Sequence, residues 1–304
     1  MKAIAEAPGK VIISGEHFVV HGATALAASI NRAVRVEASR SSKLELVSNL
    51  RDGESLLPAR KLLEHLYHER KAVPNVKAVI TSEIPAAAGL GSSGATMIAL
   101  TAAVSLLEGW YRDMSSLIKV AGVGEKIVHG NPSGIDVAAS GMGGVILFRV
   151  GNPPQPVQLP RPVKLLVAFS GMKRNTGKLI AKVALTKESY PSYFAALCDS
   201  ATLVSQMCLD QVLKGDAVAL GKLMTYSHAV LGRVGASNKT LDALVDLCIE
   251  SGCYGAKLTG AGGGGSVLAV PPENAAPIVE KLKKKGYSSF ITEIPSGGVR
   301  AWIA

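Results

Sequence analysis

One stretch of the chain decides the fold, Pro85-Ala86-Ala87-Ala88-Gly89-Leu90-Gly91-Ser92-Ser93-Gly94. An apolar run at 76–84 predicts a β-strand before it, and the run from about Ser93 to Leu107 predicts a helix after it. Glycines let the backbone approach a ligand closely, and the unpaired N–H groups of a helix N-terminus attract anions. The stretch therefore predicts a polyphosphate site at a strand-to-helix turn. The alternative is an ordinary turn with a serine N-cap, although such a cap needs one serine and no cluster of three glycines.

Outward from this turn, the chain divides into two halves of mixed α and β character. The first 50 residues alternate short β-like runs, including 3–7 and 11–14, with turns. Helices are predicted over 55–71 and 115–128. After a proline-rich stretch at 151–162, a strand leads into a long helical region that ends near Leu247, and the chain finishes in further β-like runs. Such a change of texture is typical of a domain boundary. We therefore expect an α+β protein of two domains, residues 1–158 and 159–304.

The charge of the chain favours a small anionic partner. The 33 Lys and Arg residues exceed the 23 Asp and Glu residues, which gives a net charge of +10. The basic residues are dispersed and aromatic residues make up 5% of the chain, so a nucleic-acid surface is the weaker interpretation. A single polyphosphate ligand would account for the excess of positive charge.

Three sequence features bear on the compartment of the protein: its apolar stretches, its N-terminus and its cysteines. The longest apolar stretch, Ala95 to Leu107, is too short to cross a bilayer, and the N-terminus has no apolar core of a signal peptide. The four cysteines form no CxxC pair. We expect a soluble cytoplasmic protein with neither a membrane nor a nucleic-acid partner.

Two further segments carry chemical information. The first is Lys257-Leu258-Thr259-Gly260-Ala261-Gly262-Gly263-Gly264-Gly265-Ser266, in which four consecutive glycines suggest a backbone pressed against a ligand or another loop. The second runs from Glu125 to Asp136 and holds these two carboxylates around a Gly/Pro/Asn turn, where one could hold a metal while the other handles a proton. A flexible turn explains any one glycine and a surface position explains any one carboxylate. Neither segment decides a function by itself.

A nicotinamide-dependent oxidoreductase is one alternative from another class, because two runs match GxGxxG, at 89–94 and 260–265. Two matches in one chain show how weak that pattern is. A dinucleotide fold also needs an acidic residue at the end of the next strand, about 20 residues on, and here that region predicts a helix. The Walker A pattern and the protein-kinase motifs are absent as well. A nucleotide bound here would use another mode.

With a third glycine-containing segment, Pro8-Gly9-Lys10-Val11-Ile12-Ile13-Ser14-Gly15-Glu16-His17-Phe18-Val19-Val20-His21-Gly22, the chain resembles the GHMP kinase family. The family's three motifs are matched by this segment, by Pro85 to Ser93 and by Lys257 to Gly265. The pair Glu16-His17 and the run 129–136 resemble the branch of the family that phosphorylates mevalonate. The segments between the motifs are short, as in compact archaeal or bacterial members.

The resemblance implies a fold and a reaction. The expected fold is the two-domain GHMP kinase fold, with an N-terminal domain like the second domain of ribosomal protein S5 and a ferredoxin-like C-terminal domain. The expected reaction is phosphorylation of the C5 hydroxyl of mevalonate by ATP with Mg²⁺, by a homodimer. The remaining alternative is another GHMP kinase that acts on phosphomevalonate or on a different hydroxyl of mevalonate.

The resemblance also implies roles for individual residues. Asp136 matches the catalytic base, and Lys10 matches the lysine beside it that stabilises the emerging alkoxide. Glu125 and one of the two serines, with Ser93 favoured over Ser92, match the magnesium ligands. The substrate-binding positions are Glu16, His17, Thr176 and Gly262. The loop around the ATP phosphates comprises Pro85, Ala86, Ala87, Ala88, Gly89, Leu90, Gly91, Ser92 and Ser93.

Overall fold

The first part of the chain builds a sheet with helices packed on it. The computed structural model of the protein describes residues 1–49, 56–85, 88–111, 113–130, 132–172 and 176–304, and at 128, 129, 176, 178 and 180 it describes the backbone only. The elements of this part are, in chain order, β1 (Lys2–Ser14), β2 (Ala25–Arg40), β3 (Glu45–Ser48), α1 (Leu57–Glu69), β4 (Val76–Ser82), α2 (Ser92–Glu108), α3 (Met114–His129), α4 (Ile135–Met142), β5 (Val145–Phe148) and β6 (Gln155–Val157).

The second part continues with a second sheet and its own helices. Its elements are β7 (Lys164–Phe169), α5 (Thr176–Ser189), α6 (Pro191–Lys214), α7 (Ala217–Arg233), α8 (Lys239–Glu250), β8 (Gly255–Thr259), β9 (Ser266–Val270), α9 (Ala276–Lys284), β10 (Ser289–Glu293) and β11 (Arg300–Ile303). The predicted helical region from 176 to 247 is thus four helices.

Helix α2 is the centre of the first layer. The sheet has the order β11-β1-β2-β4-β3, with β5 on β2 and β6 on β5, and α2 packs on β1 and β2. From Gly94 to Ser105 every residue of α2 is buried, because the sheet, α3 and α4 contact it from different sides. A helix that is apolar all round is stable only when it is enclosed in this way.

The strand order of the second sheet confirms the ferredoxin-like prediction. Its four strands have the antiparallel order β10-β7-β9-β8, in which the first and third strands in sequence lie at the centre. Helices α7 and α8 contact β8 and β9. The expected α+β class with two sheets is therefore observed.

The last two strands of the chain belong to different sheets, β10 to the second and β11 to the first. The proposed boundary at residues 158 and 159 falls between β6 and β7, but β11 pairs with β1 from Ala3 to Glu6 and so belongs to the first sheet. We therefore keep the division of the domains as a proposal, with the last strand returning to the first domain. We name the β1 sheet with α1–α4 the first lobe, and the β7 sheet with α5–α9 the second lobe.

Several local predictions differ from the structure. Short strands were expected at 3–7 and 11–14, and β1 is one strand whose pairing with β2 shifts register between Pro8 and Lys10 and again between Ile12 and Ser14. The segment after α3 was expected to be a loop, yet α4 begins at Ile135, because Gly134 at φ +85° turns the chain into a helix too short to show a period. Within the described ranges, no helix has the length and apolarity that crossing a bilayer requires.

Candidate active site

Lys10 and Asp136 form an ion pair although 125 residues separate them in the sequence. The Lys10 Nζ atom lies 2.9 Å from Asp136 Oδ1. Lys10 projects from β1 with a side chain 4% exposed, whereas the Asp136 side chain, in the first turn of α4, is 32% exposed. A carboxylate open to solvent beside a buried ammonium can take a proton from a hydroxyl while the ammonium stabilises the resulting alkoxide.

Two glycines let helix α2 approach this pair. Gly91, at φ +73°, is the N-cap of α2, and a Cβ atom there would lie 2.6 Å from Lys10 Cγ. A Cβ atom on Gly94 would lie 2.8 Å from Asp136 Cβ. The Lys10 N–H also donates to the Leu90 carbonyl oxygen at 2.8 Å. The glycine-rich loop therefore lies directly against the ion pair.

The N-terminus of α2 has the properties of an anion site. Among the described residues no side chain caps it, and its first N–H groups have no partner within the helix. The Ser92 hydroxyl is buried with no hydrogen-bond partner in the described parts of the chain. The predicted loop residues Pro85, Ala88, Gly89 and Leu90 precede this end in the chain, whereas Ala86 and Ala87 lie outside the described residues. Phosphate oxygens are the ligands that such an end binds.

Ser93, the residue before Gly94 on α2, contacts Glu125. The Ser93 hydroxyl donates to Glu125 Oε1 at 2.6 Å, and Glu125, on α3, is 3% exposed. Both groups supply the hard oxygens that Mg²⁺ prefers. The described residues contain no cluster of three or more His, Cys, Asp or Glu side chains able to hold a metal. The hydroxyl of Ser93 and the carboxylate of Glu125 form a donor set that fits Mg²⁺.

Glu16 and His17 lie where the two lobes meet. The Glu16 carboxylate, 1% exposed, forms an ion pair with Lys257 on β8, and the His17 ring Nε2 is 2.7 Å from the Ala261 carbonyl oxygen. Glu16 Oε2 is buried, without a hydrogen-bond partner in the part of the chain that the structure describes. Substrate binding by these two residues stays a prediction.

The other two predicted substrate residues are only partly described. Gly262, at φ +77°, packs so tightly that a Cβ atom would lie 2.1 Å from the Ala236 carbonyl oxygen. The Thr176 side chain lies outside the described atoms. Substrate binding by these two residues stays a prediction.

In chain order, Lys257–Ser266 is the third glycine-rich segment, and three of its residues have contacts that we did not expect from the sequence. Lys257 and Thr259 bind the main chain of β1, and the Ser266 hydroxyl donates to the Ala88 carbonyl oxygen at 2.8 Å. The sequence did contain a signal for one of them. A lysine within an apolar strand needs a buried partner if the strand is enclosed, and Lys257 is 0% exposed.

Burial governs the ionisation of this region. Burial raises the pKa of the Glu16 carboxyl, and the positive charges of Lys257 and Lys10 oppose this shift. Burial lowers the pKa of Lys257, and the negative charge of Glu16 opposes that shift. Burial also lowers the pKa of His17, since the Ala261 carbonyl compensates only in part. The buried pair therefore depends on its mutual contact to remain ionised.

The chain matches both halves of a known enzyme family. Residues 58–144 match the description "GHMP kinases N terminal domain", and residues 208–288 match "GHMP kinases C terminal". Together these ranges cover more than half of the chain. The matches favour kinase chemistry over the oxidoreductase and nucleic-acid alternatives.

Similar proteins along the full length carry a more specific name. A protein of Aeropyrum pernix named mevalonate kinase is 34% identical, with 98% of each chain covered. The crystal structure of L. major mevalonate kinase in complex with R-mevalonate superposes with a TM-score of 0.83 at 29% identity, covering 96% of each chain. Lactococcus lactis galactokinase complexed with galactose gives a TM-score of 0.81 at 18% identity, covering 98% of this chain and 95% of that one. This last likeness concerns the fold alone.

Proposed function

The chain belongs to the GHMP kinase family, and on that basis we propose that it transfers the terminal phosphoryl group of ATP to the C5 hydroxyl of (R)-mevalonate. The products are (R)-5-phosphomevalonate and ADP. The use of ATP follows from the family. The acceptor is inferred from the named relatives and from residues of this chain that match their branch.

One observation carries the proposal: the Lys10–Asp136 pair lies against the N-terminus of α2, whose N-cap is Gly91 and which no described side chain caps. Phosphoryl transfer needs an acceptor hydroxyl and a phosphoryl group held in line, with charge neutralised around them. In this arrangement the α2 amides bind the phosphates and Asp136 accepts the proton of the acceptor hydroxyl. Lys10 stabilises the oxygen that attacks.

Glu125 and Ser93 are the residues that would hold Mg²⁺. The ion would neutralise the charge of the phosphates when bound. Ser92, whose buried hydroxyl has no partner in the described residues, is then left to donate to a phosphate oxygen.

The acceptor side remains a proposal built on position. Glu16 and His17 follow β1, the strand that carries Lys10, and both contact the third glycine-rich segment. That segment includes Gly262. We propose that these residues and Thr176 shape the acceptor pocket. A homodimeric state also remains a prediction.

A coupled assay of ADP release tests the function. The wild-type protein is incubated with ATP and Mg²⁺, and with mevalonate, phosphomevalonate, homoserine or galactose as acceptor, and the product is identified by mass and position. We expect turnover with mevalonate and a phosphate on its C5 oxygen. Preferred turnover of phosphomevalonate, or transfer to another oxygen of mevalonate, would establish the alternative within the family.

Asp136→Asn tests the assignment of the base. Loss of a positioned general base lowers kcat by about 10²–10⁴-fold, while the affinity for ATP changes little because the phosphates contact the helix end. Asp199→Asn, at an exposed position of α6, is the matched control and should leave both quantities unchanged. An Asp136→Asn enzyme with near-normal kcat would refute the assignment.

A further inference from the structure

Lys10 lies in a short segment of β1 that has a register shift at each end. The pairing of β1 with β2 shifts register between Pro8 and Lys10, and again between Ile12 and Ser14. Irregularities of this kind unpair the backbone locally and redirect side chains, and they are common beside active sites. The three residues from Lys10 to Ile12 remain paired with β2 on one edge, so contacts on their other edge can further fix the Lys10 side chain.

The support at the second irregularity comes from the other lobe. The Ile12 N–H donates to the Thr259 hydroxyl at 3.1 Å, and the Ile12 carbonyl oxygen lies 3.4 Å from the same hydroxyl. Lys257 Nζ donates to that carbonyl oxygen at 3.3 Å. Strand β11 covers this edge of β1 only from Ala3 to Glu6, so at Ile12 the edge is open to β8.

Lys257 is itself held firmly. Its ammonium also donates to the Leu258 carbonyl oxygen at 2.6 Å and to the Glu16 carboxylate. Three acceptors thus surround an ammonium with three protons. Two of them, Ile12 and Glu16, lie at the end of β1 and just after it, so the second lobe fixes this part of the first lobe at two points.

We propose that Thr259 and Lys257 are positioning residues for Lys10: they hold the irregular stretch of β1 from the opposite lobe and so align the Lys10 ammonium with Asp136. They act through the main chain of Ile12 and through Glu16, and they need not contact a substrate. The proposal rests on the proposed kinase reaction, because it explains how that reaction's lysine is aligned.

The structure supplies a matched control for Thr259. Thr292, on β10 of the second lobe, accepts a hydrogen bond from the Asn31 N–H on β2 at 3.0 Å and donates to Asn31 Oδ1 at 2.6 Å. Like Thr259, Thr292 is a buried threonine that connects the two lobes. The strand that it contacts in the first lobe is β2, whereas Lys10 lies on β1. A Thr→Val substitution at each site removes one hydroxyl and keeps the shape.

The test compares kcat in two backgrounds. In the wild-type background, Thr259→Val should lower kcat about 10–100-fold, up to the 10²-fold loss that a 1 Å displacement can produce. Thr259→Ser, which keeps the hydroxyl, should restore kcat, and Thr292→Val should leave it within about twofold. In a Lys10→Met background, Thr259→Val should change the residual rate by less than about twofold, because effects on one functional unit are not additive.

The residual rates are measured under single-turnover conditions at high enzyme concentration, as transfer of radiolabelled phosphate from ATP. Each rate is divided by the concentration of nucleotide-binding sites. An equal loss in both backgrounds, or an equal loss with Thr292→Val, would show general lobe packing and overturn the proposal. So would an unchanged kcat in Thr259→Val.

Two further variants and the wild-type control keep the test decisive. If Thr259→Val does not fold, two other variants are tested in its place: Thr259→Ala, which removes the same hydroxyl without adding a methyl group beside Ile12, and Lys257→Met, which leaves Glu16 in place. The same dependence of kcat on Lys10 is expected of each. Wild-type turnover across the acceptor panel decides the proposed function separately. With any acceptor that the wild type uses, the dependence on Lys10 still decides the role of Thr259 and Lys257.

Discussion

Gly94 is the position where one added carbon should separate catalysis from stability. Its ideal Cβ atom would lie 2.8 Å from Asp136 Cβ, 2.9 Å from the Asp136 carbonyl carbon and 3.0 Å from the Val137 nitrogen. Gly94 lies within α2, and its backbone has no positive φ. The perturbation in Gly94→Ala is therefore steric. It acts on the first turn of α4, which carries Asp136.

The magnitude can be worked out from these distances. Ordinary contacts between carbon atoms begin near 3.4 Å, so Asp136 must retreat by about 0.6 Å from α2. A shift of that size in a catalytic group costs about 10–100-fold in kcat, by comparison with 10²-fold for 1 Å. The expected net loss of stability is about 0–2 kcal/mol, because overpacking costs about 1–3 kcal/mol and replacing glycine by alanine within a helix gains about 1 kcal/mol.

The assay measures kcat, the affinity for ATP and the free energy of unfolding for Gly94→Ala and for Gly122→Ala. Gly122, on α3, has no positive φ, and outside its chain neighbours and the backbone of its own helix no heavy atom of the described residues lies within 4 Å of its ideal Cβ position. Its alanine variant should therefore be more stable by about 1 kcal/mol with unchanged kcat. Normal kcat in Gly94→Ala would refute our reasoning, since it would mean that the placement of Asp136 against α2 does not limit turnover.

Two further predictions concern the contacts around the glycine-rich segments. Ser266→Ala removes the hydrogen bond to the Ala88 carbonyl oxygen, worth about 1 kcal/mol, and should raise the KM for ATP several-fold at nearly constant kcat; an unchanged KM would contradict an anchoring role. Burial lowers the pKa of His228, whose Nδ1 accepts from the Leu258 N–H while Nε2 contacts Asp242. The unfolded chain therefore binds more protons below about pH 6.5, and the free energy of unfolding should fall as the pH is lowered through that value. His228→Gln should reduce this pH dependence in denaturant titrations, and an identical slope would argue against it.

The sequence was most informative where a local pattern has a local cause. The strand before Pro85, the glycines after it and the helix that begins at Ser92 were all predictable, because a turn at a helix N-terminus needs residues of those types at adjacent positions. It was less informative for β1. The first irregularity, between Pro8 and Lys10, looked like a turn between two strands, because only pairing with a distant strand keeps the chain extended there.

Helix α4 and Lys257 show why other parts were missed. Eight residues are too few to display a helical period, and α4 is stabilised by its packing on α2, α3 and β1. For Lys257 the sequence shows a lysine in an apolar run, but its partner Glu16 lies 241 positions away. Contacts over such separations leave no periodic trace in one sequence.

By itself, the sequence determined the residue types that the chemistry needs: glycines and serines at a helix start, a lysine, and two carboxylates around a turn. The family resemblance implied that Lys10 lies beside Asp136 and that Ser93 and Glu125 share a site. Only the tertiary structure shows these contacts, and it alone decided that β8 of the second lobe holds β1 at Ile12. The physical reason is that hydrogen bonds and ion pairs act over a few ångströms. Only the folded sheets and helices bring such distant positions within that range.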